Sequence, residues 1–445
     1  MHSPEQLAAS DARHLLHPFT NHDDMHAAGT HIMVRGEGVY LWDARGHRML
    51  DGLAGLWCVN VGYGCAEIAD AVSAQMRQLP FYPSFFNTTT EPAILLAEKI
   101  ASLAPRGLGH VMFTNSGSEA NETALKLIRA TMKLRGTERK TKILTRDFAY
   151  HGVTLATTSM TGLPSCTAPF DLPLPGFIHA PGPNAYAANR ESDPVAYGKW
   201  CVEQTEQLIL REDPATIAAL FIEPIQGAGG VIVPPEGYLR GMRELARKYE
   251  ILFVADEVIT AFGRVGSWFA SELWDLQPDF ITVAKGLTSG YLPLGAAIVR
   301  DEIAEVLTHG GYLAHGFTYT GHPTTCAAGL ANIHVIERGG LVERVRDDVG
   351  PYFQKKLRGY ASHPLVGEAR GHGLIGALEL LPPDRDKSKL TGALGAKAAK
   401  IAREEGVIIR GIRDLIAISP PLIITHAEID ELFDGVERTL GRLGA

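Results

Sequence analysis

The chain has 445 residues, 45% of them hydrophobic and 21% charged, and its formal net charge is −8 at pH 7. The length predicts two or three domains, and the composition is typical of a folded protein with a large core, which excludes an intrinsically disordered chain. The acidic balance argues against binding to a nucleic-acid backbone, and no apolar run is long enough to span a membrane.

The N-terminal part and the middle of the chain differ in pattern. Residues 1–50 are polar and rich in histidine and end in a strand–turn–strand pattern over 38–43 and 47–51. From about residue 65, amphipathic periodicity predicts helices over 68–79, 91–103 and 237–249. Short apolar runs predict strands over 110–114, 142–145, 217–223, 251–256, 280–284 and 295–299. Because these runs do not alternate and are separated by helices, they predict an α/β fold with a mainly parallel central sheet.

The last third of the chain is more helical. Helices are predicted over 323–338, 341–360 and 426–440, and strands over 373–380 and 407–418. We assign residues 61–320 to a large domain, and residues 1–60 together with 321–445 to a smaller α+β domain. Residues 371–376 match the dinucleotide fingerprint G-x-G-x-x-G. A strand follows this motif where a dinucleotide site needs a helix, which disfavours an NAD-dependent oxidoreductase.

Three polar sites follow predicted strands, at the edge of the sheet where open α/β folds bind their ligands. The first is Ser116-Gly117-Ser118, between a strand and a helix. Backbone N–H groups and hydroxyls at a helix N-terminus form an anion site. Ordinary capping of the helix by Ser116 or Ser118 explains the same residues, so this site alone leaves both interpretations open.

The other two sites are single charges at the ends of apolar strands. Asp256 ends the strand over 251–256, and Lys285 follows the strand over 280–284. The carboxylate either pairs with a neighbouring cation or binds a protonated ring nitrogen. The lysine either extends its amine to solvent or is a desolvated nucleophile. A phosphate site, an acid and a lysine together are what pyridoxal phosphate requires.

With these motifs, the sequence resembles the class III (omega) aminotransferases of fold type I over essentially its whole length. The resemblance implies that Lys285 carries the cofactor as a Schiff base and then moves the substrate proton, and that Asp256 keeps the pyridine nitrogen protonated. Gly117 and Ser118 would bind the phosphate. The other implied cofactor contacts are Ser116, Tyr150, His151, Glu223, Val258, Phe317 and Thr318. The last two would reach the phosphate of the neighbouring subunit, which implies a homodimer with shared active sites, or a dimer of dimers.

The resemblance also bears on the substrates. Family members that use 2-oxoglutarate have a glutamate directly after the Glu-Pro-x-Gln-Gly motif, where this chain has Ala228, and this difference favours pyruvate. Arg410 matches the mobile arginine that binds the substrate carboxylate, although Gly411 replaces the usual proline and Arg413 is a rival. The implied substrate pocket is Phe19, Trp57, Phe85, Tyr150, Val153, Ala228 and Arg410. Core packing is the alternative explanation for Trp57 or Phe85 taken alone.

The cysteine pattern indicates a reducing compartment. The five cysteines are scattered and form no C-x-x-C pair, which argues against a disulfide framework and against a zinc site. The first residues do not resemble a signal peptide. We therefore expect a cytoplasmic protein without a bound metal.

The expected activity is the transfer of an amino group from an omega-amino acid or a primary amine to pyruvate, which gives an aldehyde or ketone and L-alanine. Within the same fold the alternatives are a 2-oxoglutarate-dependent aminotransferase, a taurine:pyruvate aminotransferase, a decarboxylase or an aminomutase. A non-catalytic cofactor-binding regulator would need a basic DNA-binding module, and none is evident. The sequence does not identify the amine donor.

Overall fold

The computed structural model describes residues 3–444, and its first part contains two short helices and a small sheet. The elements are α1 (Pro4–His14), α2 (His22–Ala28), β1 (Met33–Glu37), β2 (Tyr40–Asp43), β3 (Arg48–Asp51) and the kinked α3 (Ala54–Trp57). The predicted strand–turn–strand is the antiparallel pair β2–β3. Helices α1 and α2 were not predicted. Neither of them contains a buried residue, so neither has the apolar face that periodicity detects.

The middle of the chain builds a seven-stranded sheet flanked by helices. Its elements are α4 (Ala66–Gln78), α5 (Glu91–Leu103), β4 (His110–Thr114), α6 (Gly117–Leu134), β5 (Lys142–Arg146), α7 (Leu155–Ser159), α8 (Pro164–Thr167), β6 (Phe177–Ala180), α9 (Pro194–Arg211), β7 (Ile217–Ile222), α10 (Tyr238–Lys248), β8 (Leu252–Asp256), α11 (Ala270–Leu273), β9 (Phe280–Val283), β10 (Gly295–Val299) and α12 (Asp301–His309). The strand order is β4-β10-β9-β8-β7-β5-β6. Strand β10 runs antiparallel to both its neighbours, and the other pairs are parallel, which confirms the mainly parallel α/β fold.

Helices cover both faces of this sheet. Phe221 and Val254 pack with the apolar residues of α6 on one face, whereas Ile222 and Phe253 pack with those of α9 and α10 on the other. Strands β7 to β10 are therefore buried along their whole length. This double coverage explains why the apolar runs in the sequence do not alternate with polar residues.

The remaining chain forms a second helical and strand-containing part. Its elements are α13 (Pro323–Arg338), α14 (Leu341–Arg344), α15 (Gly350–Gly359), β11 (Val366–His372), β12 (Ile375–Leu380), α16 (Leu394–Glu404), β13 (Val407–Ile408), β14 (Arg410–Ile412), β15 (Leu415–Ile418) and α17 (His426–Gly444). Strands β11, β12, β15 and β14 form one sheet, and β13 joins the N-terminal sheet beside β3. The G-x-G-x-x-G match lies at the turn of the β11–β12 hairpin, where Gly373 has φ 56°.

The predicted helix over 341–360 is confirmed as one helical stretch, within which the segment Val345–Val349 is π-helical. Pro351, which has no N–H to donate, lies two residues after that segment. One predicted strand of this part is wrong as a continuous element. The strand over 407–418 divides into β13, β14 and β15. Arg413 has φ 51° in the turn that reverses the chain between β14 and β15.

The topology brings the predicted site residues to one edge of the large sheet. Strands β8 and β9 are parallel, and β4 runs in their direction because the antiparallel β10 lies between β9 and β4. The carboxyl ends of β4, β8 and β9 therefore meet at one edge. The N-terminus of α6, Asp256 and Lys285 follow these three ends.

Candidate active site

A cavity of about 150 Å³ lies at this edge of the sheet. Its walls are Gly117, Ser118, Asn121, Tyr150, His151, Gly152, Glu223, Ile225, Asp256, Val258, Ile259 and Lys285. The cavity thus brings together most of the residues that the resemblance assigned to the cofactor. Asn121, Gly152, Ile225 and Ile259 were not predicted.

The N-terminus of α6 forms one end of the cavity. The Ser116 side chain accepts a hydrogen bond from the Glu119 N–H at 3.1 Å, so Ser116 is the N-cap of the helix. Ser118 Oγ accepts from the Val153 N–H at 3.1 Å. A Cβ on Gly117 would lie 3.0 and 3.1 Å from the methyl groups of Val258. Glycine therefore keeps the first turn of α6 open next to Val258, with its N–H groups and dipole available to an anion.

The Asp256 carboxylate is buried and held by three donors. Its Oδ2 atom lies 2.7 Å from both Asn121 Nδ2 and His151 Nδ1, and its Oδ1 atom accepts from the Val258 N–H at 3.1 Å. The Asp256 side chain is 4% exposed and the His151 side chain is not exposed at all. His151 therefore contacts the acid directly. A buried carboxylate with this support can bind a protonated ring nitrogen without competition from water.

Lys285, another wall of the cavity, has a strained backbone conformation. Its φ is 43°, in the left-handed region that a residue with a Cβ rarely adopts. Burial lowers the pKa of the Lys285 amine below its ordinary value, and the nearby Cys58, Asp256 and Glu223 oppose this shift. Lowering this pKa increases the fraction of neutral amine, which is the nucleophilic and basic form.

Glu223, another wall of the cavity, joins two loops. Its carboxylate accepts from the Tyr150 N–H at 2.9 Å and from the Gly227 N–H at 3.1 Å. Burial raises the pKa of Glu223, and His151 partly opposes this shift. Burial also raises the pKa of the Tyr150 hydroxyl, which stays protonated at neutral pH. Glu223 thus fixes the backbone that carries Tyr150.

Arg410 and Trp57 lie together close to Lys285. The Arg410 guanidinium lies 4.6 Å from the centre of the Trp57 ring, and the Lys285 amine lies 5.7 Å from the same ring. Burial lowers the pKa of Arg410. Arg413, in contrast, donates to the Gly229 carbonyl at 2.9 Å and lies over the Phe148 ring. Of the two arginines, Arg410 is the one adjacent to the lysine.

The remaining predicted residues do not line this cavity. Phe19 is 76% exposed and Val153 is 61% exposed. Phe85 packs on Gly316, where an added Cβ would lie 2.9 Å from the phenyl ring. Thr318 is exposed and Phe317 is half-buried in the same segment, whereas Ala228 is buried. Unlike Tyr150, these residues are therefore not among the walls of this chain's cavity.

The cavity fits pyridoxal phosphate on the chemistry of its walls. A desolvated lysine, a buried carboxylate and an open helix N-terminus suit an aldehyde, a pyridine nitrogen and a phosphate. Within residues 3–444, no group of histidine, cysteine, aspartate or glutamate side chains is arranged to hold a metal ion. No helix in this part of the chain is both long and apolar enough to cross a membrane.

Comparisons with known proteins agree with this geometry. The family model described as aminotransferase class-III matches residues 22–440. A putrescine–pyruvate aminotransferase from Pseudomonas aeruginosa is 45% identical over 433 residues, which are 97% of this chain and 95% of that protein. A thermostable (S)-enantioselective omega-transaminase from Thermomicrobium roseum superposes with a TM-score of 0.95 at 42% identity, covering 100% of this chain and 99% of that one.

A further solved structure carries a form of the cofactor. The omega-transaminase from Pseudomonas jessenii in complex with PMP is 38% identical, with a TM-score of 0.94 and 98% of each chain covered. The matched region spans nearly the whole chain and contains every wall of the cavity. The protein belongs to the class III aminotransferases and uses pyridoxal phosphate as its cofactor.

Proposed function

We propose that this enzyme moves an amino group from a primary amine or an omega-amino acid to pyruvate, releasing an aldehyde or ketone and L-alanine. The observation that carries the choice of acceptor is Ala228, a small buried residue where family members that use 2-oxoglutarate resemble one another in having a glutamate. The relative from Pseudomonas aeruginosa, whose name specifies putrescine and pyruvate, supports the same choice.

Each end of the cavity has a distinct task in this proposal. Pyridoxal phosphate supplies an aldehyde that condenses with amines and a ring that withdraws electrons. The N–H groups of Gly117 and Ser118 hold the phosphate, each charge-assisted hydrogen bond contributing roughly 1.5–3 kcal/mol. Asp256 holds a proton on the ring nitrogen by Coulomb attraction and hydrogen bonding.

Lys285 performs the proton transfers. Its amine would take the proton from the substrate carbon that bears the amino group and pass it to the cofactor, and the reverse transfer would give a proton to the carbonyl carbon of the acceptor. Lys285 and Tyr150 are both walls of the cavity, and the hydrogen bond from the Tyr150 N–H to Glu223 fixes the loop that carries Tyr150.

Arg410 binds the carboxylate of pyruvate or of a carboxylate-bearing donor. A guanidinium forms two parallel hydrogen bonds with a carboxylate. When the substrate is a simple amine, the guanidinium stays on the Trp57 ring. Arg410 thus has two states, one on the Trp57 ring and one bound to a carboxylate. Simple amines and carboxylate-bearing substrates use the same pocket in turn.

The proposal includes a homodimer with shared active sites. Phe85, Phe317 and Thr318 lie together outside the cavity of their own chain, as expected for residues that complete the site of a second copy. A pair of such dimers is compatible with this arrangement. We also propose that residues 61–320 form the large domain and that both chain ends form the small one. The parallel pairing of β3 with β13 supports that division. The described cysteines are all free, which suits a cytoplasmic location.

Two measurements test the proposal. Borohydride reduction of the yellow holoenzyme, followed by peptide mapping, is expected to place the cofactor on Lys285. A panel of amine donors assayed with pyruvate and with 2-oxoglutarate is expected to show a higher kcat/KM for pyruvate. A modified peptide elsewhere would contradict the cofactor site. Release of CO₂, or of an isomerised amine without a carbonyl product, would identify a decarboxylase or an aminomutase.

A further inference from the structure

Asn121, in the first part of α6, contacts three other segments of the site. Its Nδ2 group donates to the His151 carbonyl at 2.8 Å and to Asp256 Oδ2 at 2.7 Å. Its Oδ1 atom accepts from Thr282 Oγ1 at 2.8 Å. Asn121 and Thr282 are 1% and 0% exposed. No function was assigned to Asn121 from the sequence.

The neighbours of Asn121 determine which way its amide points. The His151 carbonyl can only accept, and an ionised Asp256 can only accept, so both require the NH₂ group. The hydroxyl of Thr282 donates to the remaining oxygen. An aspartate or a leucine at position 121 would satisfy neither acceptor. The amide is therefore the side chain that matches this environment.

These contacts determine how the Asp256 carboxylate is used. Its Oδ2 atom already accepts from two side chains, Asn121 and His151. Its Oδ1 atom accepts one backbone hydrogen bond, from the Val258 N–H. The carboxylate is thus prevented from rotating, and Oδ1 keeps a lone pair for a further donor. Asp256 is among the walls of the cavity, where that donor would lie.

We propose that Asn121 is a positioning residue that aims the Asp256 carboxylate at the ring nitrogen of the bound cofactor and thereby keeps that nitrogen protonated. This inference rests on the proposed role of Asp256. Asn121 acts through Asp256, with Thr282 fixing the amide and with His151 as the second donor. Thr282 lies on β9, three residues before Lys285. The Asn121 amide therefore also links the strand that precedes the lysine to α6, the helix whose N-terminus would bind the phosphate.

The test compares three variants of the full-length holoenzyme. Asn121→Ala removes both hydrogen bonds that the Asn121 Nδ2 group donates. Thr282→Val removes only the hydroxyl that orients the amide. Asn184→Ala is the control, because Asn184 is a buried asparagine outside the cavity. The direct readout is the ¹⁵N chemical shift of ring-labelled pyridoxal phosphate bound to each protein, which reports whether the ring nitrogen carries a proton. The dissociation constant of the cofactor is the second readout.

We expect the wild-type protein and Asn184→Ala to show a protonated ring nitrogen. Asn121→Ala is expected to shift the signal toward the unprotonated position and to lower kcat roughly 10- to 100-fold, with a much smaller change in the KM of the amine donor. Thr282→Val is expected to change the ¹⁵N shift and kcat in the same direction, by a smaller amount. If Asn121→Ala does not fold, Thr282→Val decides alone.

The inference is overturned if a folded Asn121→Ala, or Thr282→Val in its place, keeps the wild-type ¹⁵N shift. A loss of activity that follows only cofactor occupancy or thermal stability also overturns it, since that result indicates a merely structural role. Failure of the proposed function is distinguishable: in that case borohydride fails to attach the cofactor to Lys285 in the wild-type protein, before any variant is compared.

Discussion

The buried walls of the cavity, which form its floor, differ from the exposed aromatic residues outside the cavity. On the floor, Asn121, His151 and Asp256 are at most 4% exposed and are connected by hydrogen bonds within one chain. Outside the cavity, Phe19 is 76% exposed, and Phe86, whose ring lies 5.9 Å from that of Phe85, is 88% exposed. Monomeric proteins rarely leave large apolar side chains grouped on the surface. One chain thus assembles the walls that suit the cofactor, and the proposed homodimer would assign the exposed aromatic residues to the site of a second copy.

The largest effect is expected from the floor. Lys285→Ala removes the amine to which we assign the covalent link and the proton transfers, so kcat should fall by about 10⁴-fold. Single-turnover conversion of a donor amine, together with the loss of the borohydride-fixed cofactor, measures this effect. Lys199→Ala is the control, because its side chain is 80% exposed. Substantial turnover by Lys285→Ala would show that another amine acts.

A smaller loss is expected when the buried charge of Asp256 is removed. Asp256→Asn keeps the shape of the side chain but not its charge, and kcat should fall roughly 10²- to 10³-fold. The neighbouring Glu257 provides the matched control. It accepts from Ala270 N, Ser271 N, Ser271 Oγ and Thr260 Oγ1, and burial raises its pKa to about 6.

Glu257→Gln should therefore lower thermal stability and leave the kcat of the remaining folded enzyme near that of the wild type. Steady-state kinetics and thermal unfolding of both variants make the comparison. Equal losses of kcat in the two variants would mean that the acids at the end of β8 act as a pair rather than in separate roles.

A further loss is expected at Arg410, which lies close to Lys285 but is not a wall of the cavity. Arg410→Ala should lower kcat/KM for pyruvate roughly 10- to 100-fold, the contribution expected of a charged hydrogen bond. The half-reactions with a simple amine donor and with an aldehyde acceptor should change little. Arg413→Ala is the control, because Arg413 is held by the Gly229 carbonyl. An equal loss with partners that lack a carboxylate would refute the role of Arg410.

The smallest effect on turnover is expected at the exposed aromatic residues outside the cavity. Phe86→Asp should weaken the dimer by about tenfold or more, since burial of a phenylalanine contributes about 1.5–3 kcal/mol. Sedimentation velocity and specific activity across a dilution series measure the change. Val195→Asp, a half-exposed apolar residue on α9, is the control. A wild-type protein that is monomeric and fully active would contradict the proposal that the exposed aromatic residues complete the site of a second copy.

The central chemistry was predictable because it is encoded by local patterns. An apolar strand that ends in a single charge is visible in the sequence at Asp256 and at Lys285, and the S-G-S motif before a helix is visible at Ser116–Ser118. Burial on both faces produces long apolar runs, so the mainly parallel sheet was predictable as well. These features depend on neighbours a few residues apart in the chain.

Other features were decided by the tertiary structure, because their partners are far apart in sequence. Asn121 meets Asp256 across 135 positions and Thr282 across 161, and no local pattern indicates which distant acceptor an amide will face. The helices α1 and α2 lacked a buried face. The strand over 407–418 divided because β13 pairs with β3 of the N-terminal sheet, whereas β14 and β15 pair with each other in the other sheet. The sequence alone therefore determined the type of chemistry and the class of fold. Only the folded chain decided how the Asp256 carboxylate is held and which aromatic residues lie outside the cavity. Packing and hydrogen bonding between distant segments determine both.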